Sequence, residues 1–250
     1  MNARYSILAT YYPNIKKWFL RTMRWIRNIF LALFVLSLFF VLLYKYVPVY
    51  FTPLMVTRSM EQLTKNKKIR IAHRWIPLSE ISPNLIQAVV ASEDNLFLVH
   101  SGFDFDQIEI ARDEAAKGRR LRGASTISQQ TAKNVFLFPA RSWFRKGLET
   151  YFTVLIEFVW GKERIMEVYL NSIEMGDGIF GAQAVAKSHF NTTANKLTVP
   201  EAALIAASLP NPREFNSAKP SAYLLKRQAK IELLMTQIMS IDFDKPDKKK

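Results

Sequence analysis

The residues with the greatest capacity for chemistry lie in two short segments. The first runs from Glu93 to Asp104 and reads EDNLFLVHSGFD, with two adjacent carboxylates followed by a histidine. The second runs from Gly123 to Asn134 and reads GASTISQQTAKN, with hydroxyls, amides and a lysine. Both follow an apolar segment that is long enough to cross a bilayer. This combination predicts acid–base chemistry on a polar substrate held at a membrane surface.

Five motifs in a fixed order resemble those of a known enzyme family. The first segment has the spacing E-D-x-x-F-x-x-H-x-G-x-D, and the second is close to G-A-S-T-I-T-Q-Q-x-x-K-N, with Ser128 at a position that is more often threonine. Three more motifs follow, namely RKGLE (145–149), KERIMEVYLN (162–171) and EAALIAASLP (201–210). Together they cover roughly residues 80–216. The chain resembles the peptidoglycan glycosyltransferases, the lysozyme-like enzymes that polymerise lipid II.

The resemblance implies both a fold and a reaction. The fold is mainly α, a lysozyme-like glycosyltransferase domain with one N-terminal transmembrane helix. With 250 residues, the chain is similar to the monofunctional biosynthetic transglycosylases rather than the two-domain synthases. The implied substrates are lipid II and a growing glycan chain, which are joined with inversion into a β-1,4-linked strand as undecaprenyl diphosphate is released. No cofactor is expected, and assistance to the pyrophosphate by a divalent metal is left open.

Two glutamates are the candidate catalytic residues. Attack by a sugar hydroxyl needs a base, and partial burial of Glu93 at the end of an apolar helix would raise its affinity for a proton. The alternative for Glu93 is an exposed carboxylate at a helix end. The resemblance places Glu149 near the donor sugar and the pyrophosphate, whereas its alternative is an ion pair with Arg145. A pair of carboxylates alone does not separate synthesis from hydrolysis.

Basic residues favour synthesis over hydrolysis. A pyrophosphate leaves with its negative charge in place and needs cations, whereas a sugar hydroxyl leaving group needs a protonated acid. The resemblance assigns contact with phosphates to Lys133, Arg141 and Lys146, and the alternative is a solvated basic face. A helix beginning near Ser142 would add a favourable dipole for an anion.

The other polar residues of the two segments have supporting assignments. The candidates for sugar and phosphate recognition are Ser125, Thr126, Gln129 and Gln130. Asp94, His100 and Asp104 are interpreted as structural residues near the site, with Asp94 either orienting the loop or accepting hydrogen bonds from backbone amides. The other two histidines are His73 and His189, and their spacing with His100 is not that of metal ligands, so no metal site is predicted.

Charge and hydropathy predict attachment to a membrane. Residues 1–50 contain seven basic residues and no acidic ones, and the formal net charge of the whole chain is +14. The apolar run 29–47 therefore predicts a transmembrane helix with a cytoplasmic N-terminus and an external catalytic domain. The resemblance implies that this membrane is a cell inner membrane and that the catalytic domain is periplasmic. The positive charge suits anionic headgroups and pyrophosphate, and no nucleic acid is expected as a partner. Other cell-wall synthases or division proteins remain open as partners.

The predicted order of segments along the chain follows from these patterns. It comprises a basic N-terminal segment (1–28), the transmembrane helix (29–47), a connector (48–78), the catalytic domain (79–240) and a disordered tail (241–250). Helix starts are expected at Ser82-Pro83, near Phe105, at Ser142 and at Thr198–Glu201, and a last helix at 220–240. No strand is evident. In the fourth motif, Ile165, Val168 and Tyr169 are expected in the core, with Asn171 as a terminal cap.

Apolar residues flank the polar motifs and have two interpretations. They are Phe103, Phe105, Phe136, Leu137, Phe138 and Trp143. Packing in the core is the default, and the alternative is that a subset enters the outer leaflet so that the site reaches a substrate whose lipid stays in the membrane.

Two rival functions remain at this stage. A membrane-bound muramidase or lytic transglycosylase would cut glycan and would tolerate loss of Lys133 or Arg141. A tethered scaffold for division or elongation proteins would keep its cellular role after Glu93→Gln.

Overall fold

A computed structural model describes residues 3–66, 68–118, 125–140 and 142–243, with side chains from residue 17 onward. The described helices are α1 Ala3–Tyr46, α2 Pro53–Thr64, α3 Pro83–Glu93, α4 Phe105–Ala116, α5 Ile127–Phe136, α6 Trp143–Val159, α7 Lys162–Ser172, α8 Ala182–Phe190, α9 Val199–Ser208 and α10 Ala222–Gln237. The predicted mainly α class is confirmed. The chain forms two compact units, Met1–Tyr46 and Val47–Lys250.

The first unit is one continuous helix. Its part from Lys17 to Tyr46 is long and apolar enough to cross a membrane, and it contains residues 29–46 of the predicted run 29–47. Large apolar side chains along it are exposed, including Phe30, Leu31 and Leu33. A helix that leaves such residues exposed has the character of a membrane anchor rather than of a soluble core helix.

The second unit is built on helices that pack against α3 and α5, the helices that contain parts of the two polar motifs. Helix α9 packs against α3 and α10, while α5 packs against α6 and α7. The core includes the completely buried side chains of Leu85, Ile127 and Ile205. Of the fourth motif, Ile165, Val168 and Tyr169 are completely buried, as predicted.

Capping residues explain where most of these helices begin. Ser82 accepts a hydrogen bond from the amide of Asn84 with Pro83 in the first turn, and Ser142 caps α6 through the amide of Arg145. Thr198 and Glu201 form the predicted capping box at the start of α9. These side chains satisfy amides that a helix start leaves without partners, so the sequence located the starts correctly.

Three short strands were not predicted. They are β1 Ala72–His73, β2 Glu174–Gly176 and β3 Ile179–Phe180, and they form one sheet in the order β1-β3-β2. Strand β1 is parallel to β3, and β2 is antiparallel to it. Strands of two or three residues are too short for an alternating pattern to reveal.

The segment predicted as a connector (48–78) contains both α2 and β1. Thr52 caps α2 through the amide of Met55, and α2 packs against α5.

Asn171 was predicted to be a terminal cap, and that prediction is wrong. Its side-chain amide donates to the carbonyl of Ile76 (2.9 Å) and accepts from its N–H (3.0 Å), so this residue fixes the end of the segment to α7.

Candidate active site

Glu93 is the last residue of α3, where a rigid helix directs it at the start of α5. Its Oε2 accepts a hydrogen bond from Nε2 of Gln130 at 3.1 Å, and Oε1 of Gln130 accepts one from the hydroxyl of Tyr169 at 3.3 Å. Burial raises the pKa of Tyr169 well above its usual value, so its hydroxyl remains a donor. The side-chain amide of Gln130 is thereby oriented with its NH₂ group toward the carboxylate.

The electrostatic surroundings of Glu93 suit a base. Burial raises the pKa of Glu93, and the neighbouring charge of Asp94 adds to this effect. The hydrogen bond from Gln130 and the charges of Arg227 and Lys133 act in the opposite direction. A glutamate whose proton affinity is raised in this way is a better proton acceptor near neutral pH than a solvated one.

Asp94 fixes the loop that follows Glu93. Its Oδ2 accepts a hydrogen bond from the amide of Ile127 at 2.9 Å, as expected for a residue bonded to backbone. Nδ1 of His100 accepts from the amide of Gly102 at 3.0 Å, so Nε2 carries the proton and donates to Asp94 at 2.9 Å. The first motif thus ties its loop to the start of α5.

Gly102 allows this loop to lie against α6. Its φ of +91° lies in the left-handed region, and a Cβ there would come within 2.9 Å of side-chain atoms of both Thr153 and Glu157. The Oγ1 of Thr126 donates to the carbonyl of Gly102 at 2.7 Å. Only glycine meets both the backbone and the space requirement here.

Two predicted binding residues also build the start of α5. Thr126 and Gln129 are both buried and form a capping box, in which Oε1 of Gln129 accepts from the amide of Thr126 at 3.0 Å. Asp104 likewise caps α4 through the amide of Gln107. Ser125 is exposed. A role for these residues in substrate recognition stays a prediction.

A cluster of cations faces one cavity. This cavity, of about 450 Å³, is lined by Gln130, Lys133, Arg145 and Glu174, among others, and will be called the donor cavity. Burial lowers the pKa of Lys133, and the charges of Arg145 and Lys146 lower it further, while Glu149 and Glu93 oppose them. The guanidinium Nε of Arg145 is buried and meets no hydrogen-bond acceptor among the described residues.

Glu149 is the buried counter-charge of this cluster. It is 3% exposed and pairs with Nη1 of Arg145 at 2.7 Å and with the ammonium of Lys146. The ion pair that was the alternative for Glu149 is therefore present, with a second cation added. A carboxylate held by two cations is suited to positioning them beside a polyanion.

Glu93 and Gln130 lie between two cavities. Glu93, Ser125 and Thr126 line a second cavity of about 290 Å³, whereas Gln130, the partner of Glu93, lines the donor cavity. The arrangement places the candidate base beside one space and the cations beside the other. The two spaces are therefore candidate sites for two different reactants.

Some predicted and some unexpected residues complete the site. Arg141 lies outside the described residues, so its predicted contact with phosphate stays a prediction. Arg227 on α10 and Tyr169 on α7 act on Glu93 but were not predicted to do so. Tyr169 lies within a motif that was interpreted as structural, and no local pattern marks Arg227. In the described part of the chain, no group of three His, Asp or Glu side chains is arranged to hold a metal ion.

Comparison with known proteins identifies the family. Residues 59–236 match the family model described as Transglycosylase. A biosynthetic peptidoglycan transglycosylase of Bacteroides thetaiotaomicron is 60% identical over 218 residues, which cover 87% of this chain and 88% of the relative. Proteins with the same name from Bdellovibrio bacteriovorus (52%; 83% of each chain) and Caulobacter vibrioides (50%; 83% of this chain and 90% of the relative) are also similar.

The chain belongs to the transglycosylase family. The predictions of this family, of its lysozyme-like fold and of a peptidoglycan glycosyltransferase of cell wall synthesis are thereby confirmed. The match begins at residue 59, within α2.

Proposed function

We propose that this chain polymerises lipid II, with Glu93 as the base and the cations of the donor cavity as the pyrophosphate site. The acceptor sugar hydroxyl gives its proton to Glu93 as its oxygen attacks the anomeric carbon of the donor. The bond from that carbon to the pyrophosphate breaks on the opposite face, which inverts the configuration. The pyrophosphate departs with both electrons of the bond, and the released product is undecaprenyl diphosphate.

The observation that carries this proposal is the convergence of a base and buried cations. Glu93 and Lys133 act on each other electrostatically, and Gln130 joins the carboxylate to the cavity that Lys133 and Arg145 line. The buried Nε of Arg145 offers a donor to a phosphate oxygen. Burial lowers the pKa of Lys133, and a polyanion beside it would act in the opposite direction.

Glycan cleavage is the enzymatic alternative, and the donor cavity counts against it. Cutting a glycosidic bond needs a protonated acid beside the departing sugar oxygen. The second carboxylate of this site, Glu149, has one oxygen bonded to Arg145 and the other to Lys146, so neither oxygen is free to face a departing sugar. Glu149 is therefore proposed to hold Arg145 and Lys146 in position, and Arg141 to contact the same phosphates. This mechanism requires no cofactor, and a divalent metal could only add to the charge that these residues supply.

The proposed setting is a cell inner membrane. The helix Lys17–Tyr46 supplies the anchor, and the positive charge at its N-terminal side favours a cytoplasmic N-terminus and a periplasmic catalytic unit. Contacts with other cell-wall synthases or with division proteins are compatible with this setting, and no residue on the described surface specifies one.

Labelled lipid II tests the proposal. Wild-type protein in detergent should form polymer that a muramidase digests, and Glu93→Gln should lower the rate at least about 100-fold because the base is lost. Glu80→Gln, which changes an exposed glutamate, is the matched control and should behave like wild type. Cleavage of preformed glycan without any polymer formation would replace synthesis by lysis, and a cellular role that survives Glu93→Gln would favour a scaffold.

A further inference from the structure

A third cavity, distinct from the donor cavity and from the cavity beside Glu93, is strongly basic and adjoins the donor cavity. It has a volume of about 440 Å³ and lies among α2, the chain leading into β1, the β2–β3 hairpin and the segment after α9. Five basic side chains line it: Arg58, Lys65, Lys68, Arg70 and Arg213. We call it the basic cavity. Its size is within the range of ordinary ligand sites.

Contacts with the backbone of Arg70 fix the walls of the basic cavity. The side-chain amide of Gln62 on α2 bonds to both backbone groups of Arg70: its Oε1 accepts from the amide at 2.7 Å, and its Nε2 donates to the carbonyl at 3.2 Å. Gly178 has a φ of +70°, and a Cβ there would lie 2.1 Å from the carbonyl oxygen of Arg70. The hairpin can therefore approach this segment closely only because residue 178 is glycine.

Carboxylates within the protein leave part of this charge unmatched. Arg58 contacts Glu174 at 2.7 Å and Glu61 at 2.8 Å, and Arg213 lies 3.3 Å from the same Glu61. Asp177 is the only other acidic residue among the described lining residues. The five cations are thus opposed by three carboxylates, Glu61, Asp177 and Glu174. The excess of positive charge favours an anionic guest.

The basic cavity adjoins the donor cavity at Arg58. Arg58 lines both of them, and Glu174, its partner, lines the donor cavity. A strand that extends from the donor cavity past Arg58 would run beside the basic residues. The sugars of that strand have no charge to meet these residues, but the peptide branches of peptidoglycan carry carboxylates.

We propose that the basic cavity binds the carboxylates of peptide branches on the growing glycan strand. The inference rests on the proposed function, because it assigns a further part of the same substrate to a second site. Its role is to hold the product strand in the cleft between additions. Lys65, Lys68 and Arg70 carry the charge that makes this contact, while Arg58 and Arg213 are partly matched by carboxylates.

Lipid II with amidated peptide carboxylates provides the test. Full-length wild-type protein is compared on natural and amidated lipid II, and KM and product length are measured. The wild type should prefer the natural substrate, with a KM about 3- to 10-fold lower, as expected for two or three partly exposed charge contacts. In Lys65→Gln/Arg70→Gln, which changes two exposed side chains, the ratio of the two KM values should fall toward one.

A charge-matched control variant and three contradicting outcomes separate this inference from the proposed function. Lys196→Gln/Lys230→Gln removes two exposed lysines elsewhere and should keep the wild-type preference. Equal KM values for both substrates in the wild type would overturn the inference while the polymerase function stands. A loss in the Lys65/Arg70 variant that depends on anionic lipid rather than on the substrate would also overturn it, and it would indicate a headgroup site. Failure to polymerise either substrate would instead refute the proposed function.

Discussion

Glu93 owes its chemistry to a balance among a few neighbours. Burial makes its carboxylate less stable, and Gln130, Arg227 and Lys133 partly restore that stability. Arg227 is the least expected of these residues, because it comes from α10, far along the chain. Its guanidinium Nε is buried without an acceptor in the part of the chain that the structure describes. Its positive charge acts on Glu93 and lowers the pKa of that carboxyl group.

The pH dependence of the rate should report this balance. Glu93 must be ionised to accept a proton, so the rate should rise with pH through its raised pKa. Arg227→Gln removes a charge that stabilises the carboxylate, and the rising limb should move to higher pH. Lys226→Gln on the same helix is exposed and is the control. An unchanged limb in Arg227→Gln, measured by kcat/KM from pH 5 to 9, would remove Arg227 from this role.

The same shift in pKa has a consequence for stability. A group whose pKa is higher in the folded protein contributes stability below its unfolded pKa, and this is lost as the pH rises through the folded pKa. Glu93→Gln should therefore unfold at a temperature equal to or above that of wild type at pH 8, with less advantage at pH 4. Calorimetry at the two pH values checks this, and a large loss of stability at pH 8 would mean that Glu93 supports the fold.

Tyr169 should act on the base only through Gln130. Without its hydroxyl, the side-chain amide of Gln130 loses the bond that fixes its orientation, and its bond to Glu93 weakens. Tyr169→Phe should lower kcat by about 3- to 10-fold, the equivalent of one net hydrogen bond. A double-mutant cycle with Gln130→Ala tests the path, because the effect of Tyr169→Phe should largely vanish in that background. Additive effects of the two substitutions would contradict it.

At the scale of elements, the loop of the first motif links three helices through its contacts. Its loop leaves α3, contacts α5 through Asp94 and lies on α6 at Gly102. The partly buried Glu157 of α6 continues the contact, since it accepts hydrogen bonds from Ser128 and from Lys162, whose ammonium lies 4.7 Å from the ring centre of Phe97. Glu93 is thereby held by the packing of four helices rather than by its own loop.

Gly102→Ala should strongly destabilise the fold. The left-handed backbone and the 2.9 Å contacts with Thr153 and Glu157 together predict a loss of about 2–5 kcal/mol in the free energy of unfolding. Gly147→Ala is the matched control, because Gly147 lies within α6 with open space around it and should gain up to about 1 kcal/mol. Urea titration of both variants measures the difference, and equal stability would show that the loop moves freely off α6.

The sequence predicted elements better than it predicted contacts between them. Helix starts at Ser82, Ser142 and Thr198 were evident because a cap and the amide that it satisfies are neighbours in the chain. The clamp from Asn171 to Ile76 joins residues 95 positions apart, and no local pattern encodes it. The effect of Arg227 on Glu93 was not predicted for the same reason. The position of Glu93 at the end of α3 was predictable because its motif is local, but only some of the residues that surround it were predicted.

At the scale of the molecule, apolar side chains are exposed on the catalytic unit as well as on the anchor. The most exposed on α6 are Trp143 (92%), Phe144 (78%) and Phe158 (89%). Of the residues flanking the motifs, Phe105 and Phe138 are also exposed, whereas Leu137 is buried. The default of core packing is therefore wrong for Phe105, Phe138 and Trp143. Large exposed aromatic groups of this kind mark a surface for a membrane or another apolar partner.

This surface predicts that the catalytic unit binds lipid without its anchor. Residues 47–250 form a unit with its own core, so the truncated protein should fold and should sediment with lipid vesicles. Trp143→Gln/Phe158→Gln should weaken that binding about 10-fold or more, since each ring removes a large apolar area from water. Met239→Gln, a change at an equally exposed residue after α10, should not. In Trp143→Gln/Phe158→Gln, polymerisation should fall only when lipid II is presented in vesicles, because a detergent-dispersed substrate does not require binding to a bilayer. An equal fall in detergent would mean that these rings contact the substrate itself rather than the bilayer.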